Sequence, residues 1–121
     1  MKFYYQDKLV RTSKNHIYTH AVIDQATGKL IGCRSTKEAA EAVKSSEISR
    51  YRTDINNCKR AIKEYEAGKS YYFVKIAGRS CPIKFGSKTP KDFEEYIKSD
   101  EANIERVTKD WIVVELEARE K

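Results

Sequence analysis

The chain has few of the residues that mark the most easily recognised classes of protein. It contains two prolines, five glycines, three cysteines and one tryptophan among 121 residues. No repeat, low-complexity stretch or domain linker is visible. The cysteines Cys33, Cys58 and Cys81 are odd in number and widely spaced, which argues against a disulfide framework and a metal motif. We therefore expect reduced thiols in a cytosolic protein.

Long hydrophobic runs are also lacking. No apolar stretch reaches membrane-spanning length, so no membrane partner is expected. The first residues, MKFYYQDK, have no hydrophobic signal-peptide core, which favours a cytoplasmic location. Hydrophobic residues make up 40% of the chain and charged residues 35%. This balance and length predict a single globular domain, residues 1–121, that can bury a core.

Positive charge is concentrated in two segments of the chain. Residues 1–37 hold seven basic and two acidic residues, and residues 68–91 hold six basic and no acidic residues. Residues 38–67 are neutral overall, residues 92–121 have five more acidic than basic residues, and the net charge is +6. A field focused in this way attracts phosphate. The alternative is a solvated basic face balanced by an acidic neighbour.

The pattern of hydrophobic residues and turn signals predicts an α+β fold. Antiparallel N-terminal strands precede one long central helix, a β-hairpin, a second helix and a C-terminal strand. The second helix begins at a Thr89 cap with Asp92 three residues on, and runs to about Lys109. Tight turns are predicted at Gln6-Asp7, at 25–29 and at 78–80. The predicted strands are 2–5, 8–13, 16–24, 30–35, 71–77, 81–85 and 111–118.

The central helix is predicted from a Ser35 and Glu38 capping box to a Gly68 cap, because residues 36–67 lack Gly and Pro. It would span about 48 Å, against about 27 Å for a domain of this size. It must therefore bend, break or project, and KSSE at 44–47 is the predicted kink. Its apolar residues follow steps of three and four, as in a coiled-coil seam, which another copy of the chain could cover. The seam residues are Ile48, Tyr51, Ile55, Cys58, Ile62 and Tyr65.

Neither metal binding nor catalysis has a positive case in the sequence. His16 and His20 are predicted on one strand, where residues four apart are separated by about 13 Å, too far for one metal ion. No nucleophile elbow or Cys-His signature surrounds either histidine. The acidic residues of 91–110 follow a helix face and suit a solvated surface. We expect no metal, no cofactor and no enzymatic activity.

The loop FGSKTPKDF at 85–93 suggests an anion site. It combines a glycine, two hydroxyls, nearby lysines and an aromatic ring with a helix N-terminus, whose free N–H groups bind phosphate well. Phe85 is the residue expected to stack on a base. A P-loop is absent, and Asp92 competes for the same amides. The alternative is an ordinary capped loop with surface lysines.

Other basic residues complete the candidate set. The stretch LVRTSKNHIYTHAVID at 9–24 places Arg11, Lys14, His16 and His20 on a strand pair, which faces either a ligand or solvent. Basic residues at the end of the second helix also have a plain explanation in the helix dipole. The candidate ligand-binding residues are Arg11, Arg34, Arg60, Tyr71, Lys84, Phe85, Gly86, Lys88, Thr89, Arg106 and Lys109.

Three stretches of the chain resemble the small phage proteins that counter the bacterial Thoeris defence by sequestering its signal. They are FYYQDKLVRTSKNHIYTHAVI, DINNCKRAIKEYEAGKSYYF and WIVVELEAR. The resemblance implies a non-enzymatic sponge that binds cyclic ADP-ribose isomers, and in some members cyclic oligonucleotides, without degrading them. It also implies a dimer-based homo-oligomer, such as a hexamer, with pockets between protomers. No binding residue of the family is matched to a position in this chain.

Two other functions compete with the sponge. A pI of about 9.2 and basic strands allow a small nucleic-acid-binding protein. No helix-turn-helix, RNP or zinc-finger pattern supports that function. The central helix has no net charge, so it is poorly suited to binding in a groove of a nucleic acid. The third function is a phage inhibitor of a host protein, which would need a large complementary surface.

Overall fold

The structure, a computed structural model, describes residues 1–120. It confirms the α+β fold, with strands at both ends of the chain and a hairpin between the two helices. The predicted last strand is two strands separated by Leu116. The elements are β1 Lys2–Tyr5, β2 Lys8–Thr12, β3 His20–Asp24, β4 Lys29–Arg34, α1 Lys37–Glu66, β5 Tyr71–Ile76, β6 Arg79–Lys84, α2 Pro90–Asp110, β7 Trp111–Glu115 and β8 Glu117–Arg119.

Contacts divide the chain into two compact units, where the sequence shows no linker. The first unit comprises residues 1–48 and the chain from residue 106 onward. The second unit comprises residues 49–105. Both helices pass from one unit into the other, so neither boundary falls in a loop. This continuity explains why composition gives no sign of the division.

The first unit is built on two three-stranded antiparallel sheets. Their strand orders are β2-β1-β8 and β4-β3-β7. Gln6 and Asp7 form the β1–β2 turn with φ values of 49° and 65°, which confirms the predicted tight turn. The core of this unit consists of Phe3, Ala21, Cys33, Val114 and Leu116.

The predicted strand at 16–24 begins only at His20. The Ser13 hydroxyl accepts a hydrogen bond from the His16 N–H at 3.0 Å. Such a local side-chain bond competes with a sheet ladder, and it holds this part of the chain in a non-strand conformation. His16 therefore lies outside the sheet, and its predicted spacing from His20 along one strand is wrong.

The ends of α1 were predicted unequally well. Thr36, and not Ser35, caps the N-terminus, because its Oγ1 accepts the Ala39 N–H at 3.1 Å. Gly68 is the C-terminal cap as predicted, with φ of 79° and its N–H donating to the Tyr65 oxygen at 2.9 Å. Between these caps α1 is one unbroken helix, including residues 44–47, where a kink was predicted.

The second unit packs α1, the β5–β6 hairpin and the first part of α2 around one core. That core contains Cys58 of the predicted seam, but Tyr65 of the same seam is 41% exposed. The turn of the hairpin is Ala77-Gly78, with φ values of 51° and 79°, so Arg79 and Ser80 belong to β6 and not to the turn. The core residues are Cys58, Ala61, Tyr72, Phe85 and Phe93.

Candidate functional site

Two predicted arginines meet at one cysteine in the first unit. Arg34 ends β4, and its Nη1 donates to the Cys33 backbone oxygen at 2.7 Å. Arg11 lies on β2, with its guanidinium 5.4 Å from the centre of the Tyr18 ring. Burial raises the pKa of the Cys33 thiol, whereas the charge and hydrogen bond of Arg11 and the charge of Arg34 lower it. Both guanidiniums therefore act on the same thiol.

His20 and Gly32 complete the surroundings of Arg34. His20 is directly opposite Arg34 in the β3–β4 pair, so the two side chains share a face of the sheet. A Cβ atom at Gly32 would lie 3.2 Å from Nη1 of Arg34, so glycine leaves room for the guanidinium. We call Arg11, Tyr18, His20 and Arg34 the arginine cluster. Arg11 reaches the Cys33 thiol on the core face of β4, whereas Arg34 and His20 lie on the opposite face of the same sheet.

Within residues 1–120 the arginine cluster forms no ion pair, although Glu115 lies directly opposite His20 in the β3–β7 pair and so shares a face of the sheet with it. Of the two acidic residues before position 37, Asp7 pairs with Arg119 at 2.6 Å and Asp24 accepts the Ala26 N–H at 3.0 Å. Planar guanidiniums bind phosphate oxygens in pairs. The cluster is therefore suited to an anion from outside the chain.

A polar groove lies in the second unit. Its narrow part is a cavity of about 160 Å³, where Lys88 Nζ donates to Tyr72 Oη at 3.1 Å. This hydrogen bond raises the pKa of Lys88. A wider, open part of about 490 Å³ shares Asp54, Asn57 and Val74 with the narrow part. The remaining lining residues are Cys58, Phe93 and Tyr96 in the narrow part, and Arg50, Tyr51, Thr53, Lys75, Ile76 and Asp100 in the wide part.

Two carboxyl groups give the groove a different chemistry from the arginine cluster. Burial raises the pKa of Asp100 to about 7, and the hydrogen bond and charge of Asp54 add to the shift. Asp100 is 9% exposed, and its Oδ2 has no hydrogen-bond partner within the described chain. Burial and these carboxyls also raise the pKa of Cys58 to about 11, which leaves this thiol protonated. The groove offers polar groups for a base or a sugar and disfavours phosphate beside Asp54.

Two features of the loop at 85–93 disfavour the predicted anion site. Phe85 is 6% exposed and packs edge-on against Tyr65, with centroids 5.3 Å apart, so its ring presents no free face to a base. The Thr89 N–H donates to Asp92 Oδ2 at 2.9 Å, so the carboxylate occupies the amide that an anion would need. Gly86 has a φ of 59° because the loop turns sharply there. Of the residues at 85–93, Lys88 and Phe93 line the groove.

The other predicted residues are spread over both units. Tyr71 and Lys84 lie opposite each other on the hairpin, on the side facing away from Tyr72. Arg60 is exposed on α1. Arg106 and Lys109 belong to the last turns of α2, where the Lys109 backbone oxygen accepts a hydrogen bond from Gln25.

Several residues of both sites were not predicted from sequence. Gly32 carries no signal of its own, because its role depends on where the Arg34 side chain turns. Asp54 and Asp100 are far apart along the chain, and each looks like an ordinary acidic residue of a helix face. Tyr18 lies within the polar stretch at 9–24. It is therefore the one of these residues that the sequence could have indicated.

Metal and membrane sites find no support in the part of the chain that the structure describes. No three His, Cys, Asp or Glu side chains come close enough together to hold a metal ion among residues 1–120. Neither α1 nor α2 has an apolar segment long enough to cross a membrane. The three cysteines are unbridged.

Comparisons with protein-family models, with curated proteins and with solved structures find no match to this chain.

Proposed function

We propose that the protein is a phage-encoded sponge that binds a cyclic nucleotide signal of the cyclic ADP-ribose type in the host cytoplasm and blocks Thoeris-type defence. The observation that carries the proposal is the arginine cluster, in which Arg11 and Arg34 form no ion pair with a carboxylate of residues 1–120. The resemblance of three stretches of sequence to anti-Thoeris proteins supports a cyclic ADP-ribose isomer as the ligand. It also implies cyclic oligonucleotides as ligands of some members.

The chemistry of such a ligand matches that of the cluster. Its two phosphates need charge-assisted donors, which the guanidiniums of Arg11 and Arg34 supply. The Tyr18 ring already contacts Phe3, His16 and Arg11, with its centroid 5.4 Å from that of Phe3 and 5.9 Å from that of His16, so the base would contact its edge beside Arg11. His20, on the same face as Arg34, adds a donor when protonated.

Binding without degradation fits the hydrogen bonds around His20. Thr19 Oγ1 donates to the Ser35 backbone oxygen at 2.8 Å and also contacts His20 Nδ1 at 2.8 Å. A hydroxyl has one proton, so His20 is the donor to Thr19 and does not act as its base. Cys58, with its raised pKa, is a poor nucleophile as well. These two arrangements support sequestration over catalysis.

Self-association belongs to the same proposal. The arginine cluster is open to solvent on one side, since Arg11 and Arg34 are exposed. A second copy of the chain would enclose the ligand and exclude water, as in a dimer-based oligomer.

Titration calorimetry with cyclic ADP-ribose isomers tests this proposal. Arg11→Ala and Arg34→Ala should each weaken binding by at least tenfold, because a lost charge-assisted hydrogen bond costs about 1.5 to 3 kcal/mol. Lys29→Ala is the matched control, since Lys29 is an exposed cation at the other end of β4. Wild-type affinity in both arginine variants, or an equal loss in the lysine variant, would reject the assignment of the site.

A further inference from the structure

The β5–β6 hairpin has two faces in different environments. Side chains alternate between the faces of a strand. Tyr72 is 5% exposed in the core of the second unit, whereas Tyr71 and Phe73 are 43% and 39% exposed. Lys84 lies opposite Tyr71, and Pro82 lies opposite Phe73. Opposite residues share a face, so Tyr71, Phe73, Pro82 and Lys84 form one surface, which we call the outer face.

Positive charge surrounds the outer face. Residues 68–91 contain six basic and no acidic residues, so the hairpin carries no counter-charge of its own. Lys84 lies on the outer face itself. Lys75, two residues beyond Phe73 on β5, extends the same face. Both lysines are exposed. The face therefore combines two aromatic rings with ammonium groups at their sides.

The spacing of the two rings selects the form of the partner. Tyr71 and Phe73 are two residues apart on one strand, which separates them by about 6.6 Å at 3.3 Å per residue. Stacked bases of duplex DNA rise by about 3.4 Å. Each ring can therefore take one base only if the bases of the partner are unstacked, as in an extended single strand.

Charge also decides between a nucleic acid and a second copy of this chain. Two outer faces pressed together would bring like charges into contact, which disfavours that pairing. A phosphate backbone neutralises the lysines while its bases cover the rings. We propose that the outer face binds single-stranded nucleic acid, two bases at a time and without sequence preference. This binding is independent of the arginine cluster.

Fluorescence anisotropy with a labelled ten-nucleotide poly-dT strand tests the proposal on the full chain. The wild type should bind, and Tyr71→Ala with Phe73→Ala should weaken binding by tenfold or more, because each stacked base contributes about 1 to 3 kcal/mol. Lys84→Ala should reduce the slope of log affinity against log salt by about 0.7. Ile17→Ala is the matched control, since Ile17 is 60% exposed in the first unit.

The other outcomes overturn the proposal. Equal affinity for a duplex of the same length would show that the rings do not stack on bases. Unchanged anisotropy in the double variant would place the binding elsewhere on the chain. A change in sedimentation mass in that variant, without any effect of the strand, would identify the outer face as a protein interface. Calorimetry with cyclic ADP-ribose isomers would be unaffected by any of these results.

Discussion

The guanidinium of Arg34 turns back over Gly32 and donates to the backbone oxygen of Cys33 at 2.7 Å. A residue at the end of an edge strand thereby keeps its charge beside the sheet instead of extending into solvent. The hydrogen bond uses one of five donors of the guanidinium. The remaining donors stay available for a ligand.

The first prediction concerns the space above Gly32. Gly32→Ala should shift the Arg34 guanidinium by a few tenths of an ångström, because the new Cβ would lie 3.2 Å from Nη1. The affinity for a cyclic ADP-ribose isomer should fall by about 3- to 10-fold, as expected for the loss of one hydrogen bond. Calorimetry of the double variant with Arg34→Ala is the control. If Gly32→Ala lowers affinity equally without Arg34, its effect has another origin.

The second prediction concerns the buried acid of the groove. The pKa of Asp100 is raised to about 7 in the folded state, whereas a free Asp has a pKa of about 3.9. The folded chain therefore holds a proton that the unfolded chain has released, and stability falls as pH rises from about 4 through 7. Asp100→Asn should raise the free energy of unfolding by about 1 to 3 kcal/mol at pH 8.

Denaturant unfolding at several pH values measures this effect. The gain from Asp100→Asn should be larger at pH 8 than at pH 5, where the wild-type carboxyl is mostly protonated. Glu101→Gln, a neighbouring exposed acid, is the control and should show no such dependence. A gain that is the same at both pH values would contradict the raised pKa.

The third prediction separates the two residues at the start of α1. Thr36→Ala should lower stability by about 1 kcal/mol, because it removes the acceptor of the Ala39 N–H. Ser35→Ala should have little effect, since the Ser35 contact with Thr19 is made by its backbone oxygen. Thermal unfolding of both variants decides the matter. A larger loss of stability from Ser35→Ala would instead identify Ser35 as the N-terminal cap, as the sequence pattern predicts.

The fourth prediction treats Phe85 as a core residue. Phe85→Ala should destabilise the protein by about 3 to 5 kcal/mol, as for other buried aromatic residues. Phe85→Leu should recover most of this stability, because it refills much of the cavity. Both variants are compared by urea unfolding. Near-wild-type stability of the alanine variant, with a selective loss of ligand binding, would instead support a stacking role.

The sequence predicted those features that depend on residues close together in the chain. The Gln6-Asp7 turn and the Gly68 cap follow from local backbone preferences, and both are confirmed. The start of β3 was misplaced because Ser13 makes a local hydrogen bond that hydrophobic periodicity does not record. Phe85 was misjudged because loop position does not reveal burial.

The candidate sites show the same limit. Arg11 and Arg34 were chosen for charge alone, and the contact of Arg11 with Cys33 depends on tertiary packing between two different sheets. Asp54 and Asp100 lie on two different helices, so no local sequence pattern indicates that their carboxyl groups form a pair. Residue type led to the prediction of an anion site, and the structure shows that Arg11 and Arg34 form no ion pair within residues 1–120.

The most direct test of the sponge is capture and release of an intact ligand. The purified protein is incubated with a cyclic ADP-ribose isomer, filtered to remove unbound nucleotide and heated, and the released molecule is identified by mass spectrometry. Our account predicts recovery of the intact cyclic nucleotide from the wild type, and little from a protein with Arg11→Ala and Arg34→Ala. A cleaved product would indicate an enzyme, and no recovery from folded wild-type protein would contradict the proposed function.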